Sequence, residues 1–154
     1  MSIQGYADIN TPDGWPNVKA SLRYIGGSFT YPATASQMTP LNNLFITKGF
    51  DDANAWNGAT ATWTCPLNGL YLFVLRLGIN AGATCQVNHQ WTKNGTQVFL
   101  CGISQAAGYN EYTSTFLDRA VVGDSYVANS SSSIASMALR AGIEDMMAIA
   151  LLGP

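Results

Sequence analysis

Residues Trp63 to Ile103 read WTCPLNGLYLFVLRLGINAGATCQVNHQWTKNGTQVFLCGI. The segment Leu70–Ile79 inside it is almost unbroken apolar, with Arg76 its one charge. As an extended strand it puts Tyr71, Phe73, Leu75, Leu77 and Ile79 on one face and Leu70, Leu72 and Val74 on the other. An antiparallel strand with one wet face alternates apolar with polar residues. This one is apolar on both sides, so both faces are expected to be covered, the second by another copy of the chain. The strand is announced by Pro66-Leu67-Asn68-Gly69, a turn in which Gly69 is expected to supply the positive backbone angle.

Two more strands follow, joined by Lys93-Asn94-Gly95. A two-residue Asn94-Gly95 turn would set Trp91 opposite Val98 and Phe99 opposite Gln90. A three-residue loop with Gly95 left-handed pairs His89 with Phe99, Val87 with Cys101 and Cys85 with Ile103, and gathers the apolar groups on one face. The second register is the expected one.

Four pieces in order then resemble one family. These are Cys65-Pro66 with Gly69, Tyr71 and Phe73; the Lys93-Asn94-Gly95 hairpin; the Gly123-Asp124 turn; and an apolar strand at the C-terminus, MMAIALLGP. Together they resemble the globular head of the first complement component, a tumour necrosis factor-like jelly roll. The resemblance covers roughly residues 20–154, is poor before Phe45, and departs from the family at Ile149-Ala150-Leu151-Leu152, where an aromatic-rich closing strand is usual. It implies an all-β, antiparallel two-sheet jelly-roll sandwich that assembles as a homotrimer, with the sheet holding the central and last strands packed around the three-fold axis. The trimer wall it implies comprises Tyr71, Phe73, Leu75, Arg76, Leu77, Met147, Ile149 and Leu151, with Arg76 paired to Asp118. Related heads also carry cysteines near Cys85 and Cys101. The expected register makes these diagonal neighbours, too far apart for a disulfide, so all three thiols are expected free and largely buried.

At 154 residues the chain has one domain's length. Charged residues are 10%, against about 25% in an average soluble protein. A net charge of -2 supplies no basic field for nucleic acid. No run approaches the ~18 apolar residues of a membrane span. The start, MSIQGYADINTPDGW, has no basic region followed by an apolar one, so no signal peptide is expected. Residues 1–19 read as an N-terminal attachment arm, and residues 20–154 as the head. The arm has a Thr11-Pro12-Asp13-Gly14 turn signal and two aromatics, Tyr6 and Trp15, which either fold back onto their own domain or dock onto a neighbour.

Elsewhere Thr60, Thr62 and Thr64 alternate with Ala61, Trp63 and Cys65 as a half-buried strand, and Tyr112–Val122 alternates again. The serine run Ser130–Ser133 reads as an exposed loop. Residues Ile134–Leu152 are rich in helix formers, yet Met146–Leu152 is expected to be a strand. Asp51-Asp52 lacks the alternating ligands of a calcium loop, and the single histidine, His89, has no partners spaced for zinc. No phosphate loop, nucleophile elbow or paired carboxylates occur. No catalytic residue, metal or cofactor is expected, and the chain does not read as an enzyme.

A structural protein of a bacteriophage virion fits these features best, assembled in the bacterial cytoplasm. On one reading it is a trimeric capsid decoration protein whose arm binds the major capsid protein or another virion protein. On the other it is the receptor-binding tip of a tail or head fibre, an adhesin using aromatics such as Trp56 or Tyr109 on host surface glycan. Copy number per particle separates the two.

Overall fold

The computed structural model describes residues 22–26, 29–139 and 145–153. The arm residues Tyr6 and Trp15 lie outside them. The described residues form eleven strands and no α-helix: β1 (Leu22–Gly26), β2 (Thr39–Pro40), β3 (Phe45–Asp51), β4 (Trp56–Asn57), β5 (Thr62–Thr64), β6 (Gly69–Ala81), β7 (Cys85–Lys93), β8 (Thr96–Gln105), β9 (Gly108–Ala120), β10 (Ser125–Ser132) and β11 (Met146–Gly153). They build two antiparallel sheets. The front sheet runs β3-β1-β11-β6-β9; the back sheet runs β4-β5-β10-β7-β8, with β2 added against β10. From β6 onward the chain passes front, back, back, front, back, front, the alternation of a jelly roll.

Between the sheets lies an aromatic core. The Phe73 ring of β6 is 4.6 Å from Phe116, 4.7 Å from Tyr126, 5.4 Å from Trp91 and 5.5 Å from Trp63. Trp63 in turn stands edge-on to Tyr71 at 4.9 Å. Such edge and offset contacts add to the area that the rings bury. Leu75, Leu77, Ile79, Met147 and Ile149 extend this core along the front sheet. The threonine strand is as expected, with Ala61, Trp63 and Cys65 buried.

Several local expectations are corrected. Asn94 and Gly95 both take positive φ, 50° and 82°, so the β7–β8 connection is the two-residue turn that was set aside. The ladder then skips one residue: Thr92 pairs with Gln97 but Trp91 with Phe99, leaving Val98 as a bulge. The bulge restores the face that a simple two-residue turn would have lost. It also moves Cys85 opposite Gln105 and Cys101 opposite His89, further apart than expected; all three cysteines are free, with Cys101 half-buried rather than buried. Gly69 does not take a positive φ. Its lack of a side chain matters because a Cβ there would sit 2.3 Å from Leu151 Cδ1 and 2.5 Å from the Gly153 carbonyl oxygen.

The serine run is not a loop. Ser130, Ser131 and Ser132 lie buried within β10. Their hydroxyls are satisfied locally: Ser130 Oγ shares a hydrogen bond with Tyr31 OH at 2.8 Å, and Ser131 Oγ accepts one from Asn88 Nδ2 at 3.2 Å. Small hydroxyl side chains fit a closely packed strand when each finds such a partner. Asp51 is structural too, accepting hydrogen bonds from the Ala55 and Trp56 amides and from Tyr24 OH.

Two outcomes follow for the interior. His89 is fully buried and neither ring nitrogen has a hydrogen-bond partner; burial pushes its pKa from 6.5 down to about 4. The unfolded chain takes up a proton near 6.5 while the folded one stays neutral to about 4, so stability falls as the pH drops through that window. At about 1.4 kcal/mol per unit, the loss is about 3 kcal/mol. Urea midpoints of the wild type should track it between pH 7 and 4, and those of His89→Leu should be flatter by that amount. Thiol titration should find one fast-reacting group in the native protein, Cys101, and three without reductant after denaturation.

Candidate functional site

Strand β6 decides which residues are available to a partner. Its odd-numbered side chains, Tyr71 to Ile79, point into the sandwich and are wholly buried within the single chain. Met147 and Ile149 of β11 do the same. Of the expected trimer wall, Tyr71, Phe73, Leu75, Leu77, Met147 and Ile149 are therefore core residues, and Leu151 is half-buried against that core. The parity was misassigned because both sides of β6 are apolar. Size was the available signal, since the gap between two sheets takes the large rings, and Tyr71 and Phe73 are the largest side chains on the strand.

The outward face consists of the other parity. Leu72 lies between Ala150 of β11 and Leu117 of β9; Val74 lies between Ala148 and Thr115; Arg76 lies between Met146 and Thr113. Beyond β11, Ile25 of β1 is level with Met146, and Phe50 of β3 is paired with Arg23. The outcome is a broad sheet face of aliphatic and small residues, on which Leu117 is 56% and Leu152 55% exposed. A face of this extent without polar cover marks an interaction surface.

Arg76 does lie on this face, but its partner is Glu111 of β9, not Asp118. Glu111 also accepts a hydrogen bond from Tyr109 OH at 2.7 Å. Asp118 pairs across from Tyr71 and so belongs to the inward parity of β9. It accepts hydrogen bonds from Tyr126 OH at 2.6 Å and from Lys93 Nζ at 3.3 Å. Opposite faces of one sheet keep Arg76 and Asp118 apart.

Lys93 and Asp124 anchor the end of the sandwich where three turns meet. Lys93 Nζ lies 3.1 Å from Asp124 Oδ2. Partial burial pulls the Lys93 pKa down, but the Asp124 and Asp118 carboxylates outweigh it and hold it above the ordinary value. Asp124 is held below its ordinary value, chiefly by the Val121 amide and then by the Asn94 side chain. These groups satisfy one another and build no reactive centre. Among the described residues no three His, Cys, Asp or Glu side chains are grouped to hold a metal. Trp56, suggested as a sugar platform, is buried with its Nε1 donating to the Phe45 carbonyl at 2.9 Å.

No family model matches the chain, and no curated protein matches it. Solved structures do. Eiger TNF from S. frugiperda superposes with a TM-score of 0.64 at 11% identity, covering 87% of this chain and 92% of the other. Murine APRIL gives 0.63 at 14% identity, covering 86% and 98%. The globular domain of zebrafish complement 1qA protein gives 0.60 at 14% identity, covering 86% and 97%. The fold is the tumour necrosis factor/complement-type jelly roll. In that jelly roll, as here, β6 is the central strand and β11 the closing one, each buried on one face by the opposite sheet.

The two parities of β6 are expected to separate in mutants. Phe73→Ala should cost about 3–5 kcal/mol, read from denaturation midpoints. Val74→Thr, one residue away and outward, should leave the circular dichroism of the folded chain unchanged.

Proposed function

We propose that the chain is a non-enzymatic structural protein of a bacteriophage particle: a homotrimeric capsid decoration protein anchored to the major capsid protein, or to another shell protein, by its arm, residues 1–19. The outward face of the front sheet carries the reading. Leu72, Val74, Ala148, Ala150 and Leu117 form an apolar wall on a chain whose surface is otherwise polar and poor in charge, and burial of such a wall drives association. A closed three-fold ring joins this wall to a different surface of the next subunit. The rim between the edge strands β8 and β9 suits that role. There the half-buried Phe99 and Phe116 rings stack at 4.8 Å, beside Tyr112. The similarity to complement-type and tumour necrosis factor-like heads supports the trimer, because the resemblance implies that assembly. Arg76 and Glu111 then form a charged pair within the interface and help fix its register.

Assembly is tested by Leu72→Asp combined with Val74→Asp. Sedimentation velocity should show the wild type as a trimer at micromolar concentration and the double variant as a folded monomer. A stable wild-type monomer would overturn the trimer. Attachment is tested by a truncation beginning at Ala20, which should still trimerise yet fail to load onto particles lacking the wild-type protein. Normal loading would shift attachment to the head. Quantitative mass spectrometry of virions should count hundreds of copies; a handful per particle would place the chain on a fibre instead.

A further inference from the structure

The end of the sandwich where β6 begins and β9 finishes carries three exposed aliphatic side chains: Leu67 at 44%, Val121 at 58% and Val122 at 61% exposure. They lie past the last strand pair, Gly69 with Ala120, and so beyond the wall assigned to the trimer. Two turns hold them out, and the turns are locked together. The Cys65 amide donates to the Asp124 carbonyl at 2.8 Å, the Gly123 amide to the Cys65 carbonyl at 2.9 Å, and the Val122 amide to Asn68 Oδ1 at 2.8 Å. The Leu67 carbonyl accepts from Tyr71 OH at 2.7 Å. Gly123, at φ 91°, makes the sharp corner. The third turn joins through Asn94, whose side chain donates to Asp124 Oδ1 at 2.8 Å and accepts from the Ser125 amide at 2.9 Å. The tip is thus prebuilt, and docking onto it orders little.

We propose that this tip is a second docking surface for the shell protein that receives the arm. The inference rests on the decoration reading and adds to it a contact from the head itself. Where the chain enters the head names the occupant. β1 runs antiparallel to β11, with Leu22 opposite Ile149 and Ile25 opposite Met146, so β1 leads away from the end where Gly153 lies beside Leu70. The 21 residues that precede Leu22 therefore join the head from the side of the tip, and whatever the arm binds is brought to Leu67, Val121 and Val122. The tip's own charges, Lys93 with Asp118 and Asp124, are spent on each other. What is left is aliphatic and uncharged, suited to an apolar depression on a protein and not to an anionic lipid or nucleic acid. One tip is small. In a cyclic trimer three act together, and the linkage multiplies a weak contact into a firm one.

The test uses virions of the phage encoding the chain, assembled with the wild type, with Val121→Ser/Val122→Ser, or with Leu67→Gln. All three positions are exposed, where polar replacements spare the fold; sedimentation and circular dichroism of each purified protein check this. Both variants should remain folded trimers, and copies per virion should fall at least tenfold for the double variant and severalfold for Leu67→Gln. Wild-type loading by both folded variants would overturn the tip and leave the decoration reading standing. Dissociation of the trimer by either would assign the tip to the subunit interface and overturn the proposal equally. Absence of the wild type itself from virions would remove the decoration reading, and the tip proposal with it.

Discussion

Everything in this head is arranged around one ring. Phe73 packs against aromatic side chains from β5, β7, β9 and β10 together, and so fixes the spacing of the two sheets at their centre. Because side chains alternate along a strand, placing that ring inside commits Tyr71, Leu75, Leu77 and Ile79 to the interior as well. It commits Leu70, Leu72, Val74 and Arg76 to the outside. The partners of β6 inherit the same division: Met147 and Ile149 go inward, Ala148 and Ala150 outward. The apolar wall on which the assembly proposal stands is the other side of this single packing choice.

Much of the architecture was legible from the chain. The alternation of Thr60–Cys65, the long apolar strand at Leu70–Ile79, the hairpin around Asn94-Gly95 and the Gly123-Asp124 corner all declare themselves by period or by turn chemistry. The closing strand was readable only through its resemblance to a family. Its own residues favour helix, and what holds Met146–Gly153 extended is a ladder on each side, to β1 and to β6. Such long-range pairing overrides local propensity.

The parts that were misread share a physical cause. Period-2 patterning says which residues lie together but not which side is the interior, and β6 is apolar on both. The serine run looked solvated because serine is usually exposed; its burial depends on Tyr31 and Asn88, which are 99 and 43 residues distant from their serine partners. The hairpin register failed because a bulge carries no compositional mark. The Arg76–Asp118 pairing failed on face, as Glu111 stands on the same side as Arg76. The tip was hidden for a related reason: Leu67 and Val122 occupy turns, and their exposure follows from how two turns brace each other.

The bulge at Val98 has a consequence for solubility. β8 is ten residues long, without a charge or a proline, and among the described strands it pairs only with β7. A flat, uncharged edge of that length is a template for cross-β growth between misassembled chains. The extra residue breaks the run of evenly spaced amides near its start and increases the local twist. The same insertion that brings Trp91 opposite Phe99 therefore denies an incoming strand a straight row of hydrogen-bonding groups, so core registration and resistance to fibril formation depend on one valine.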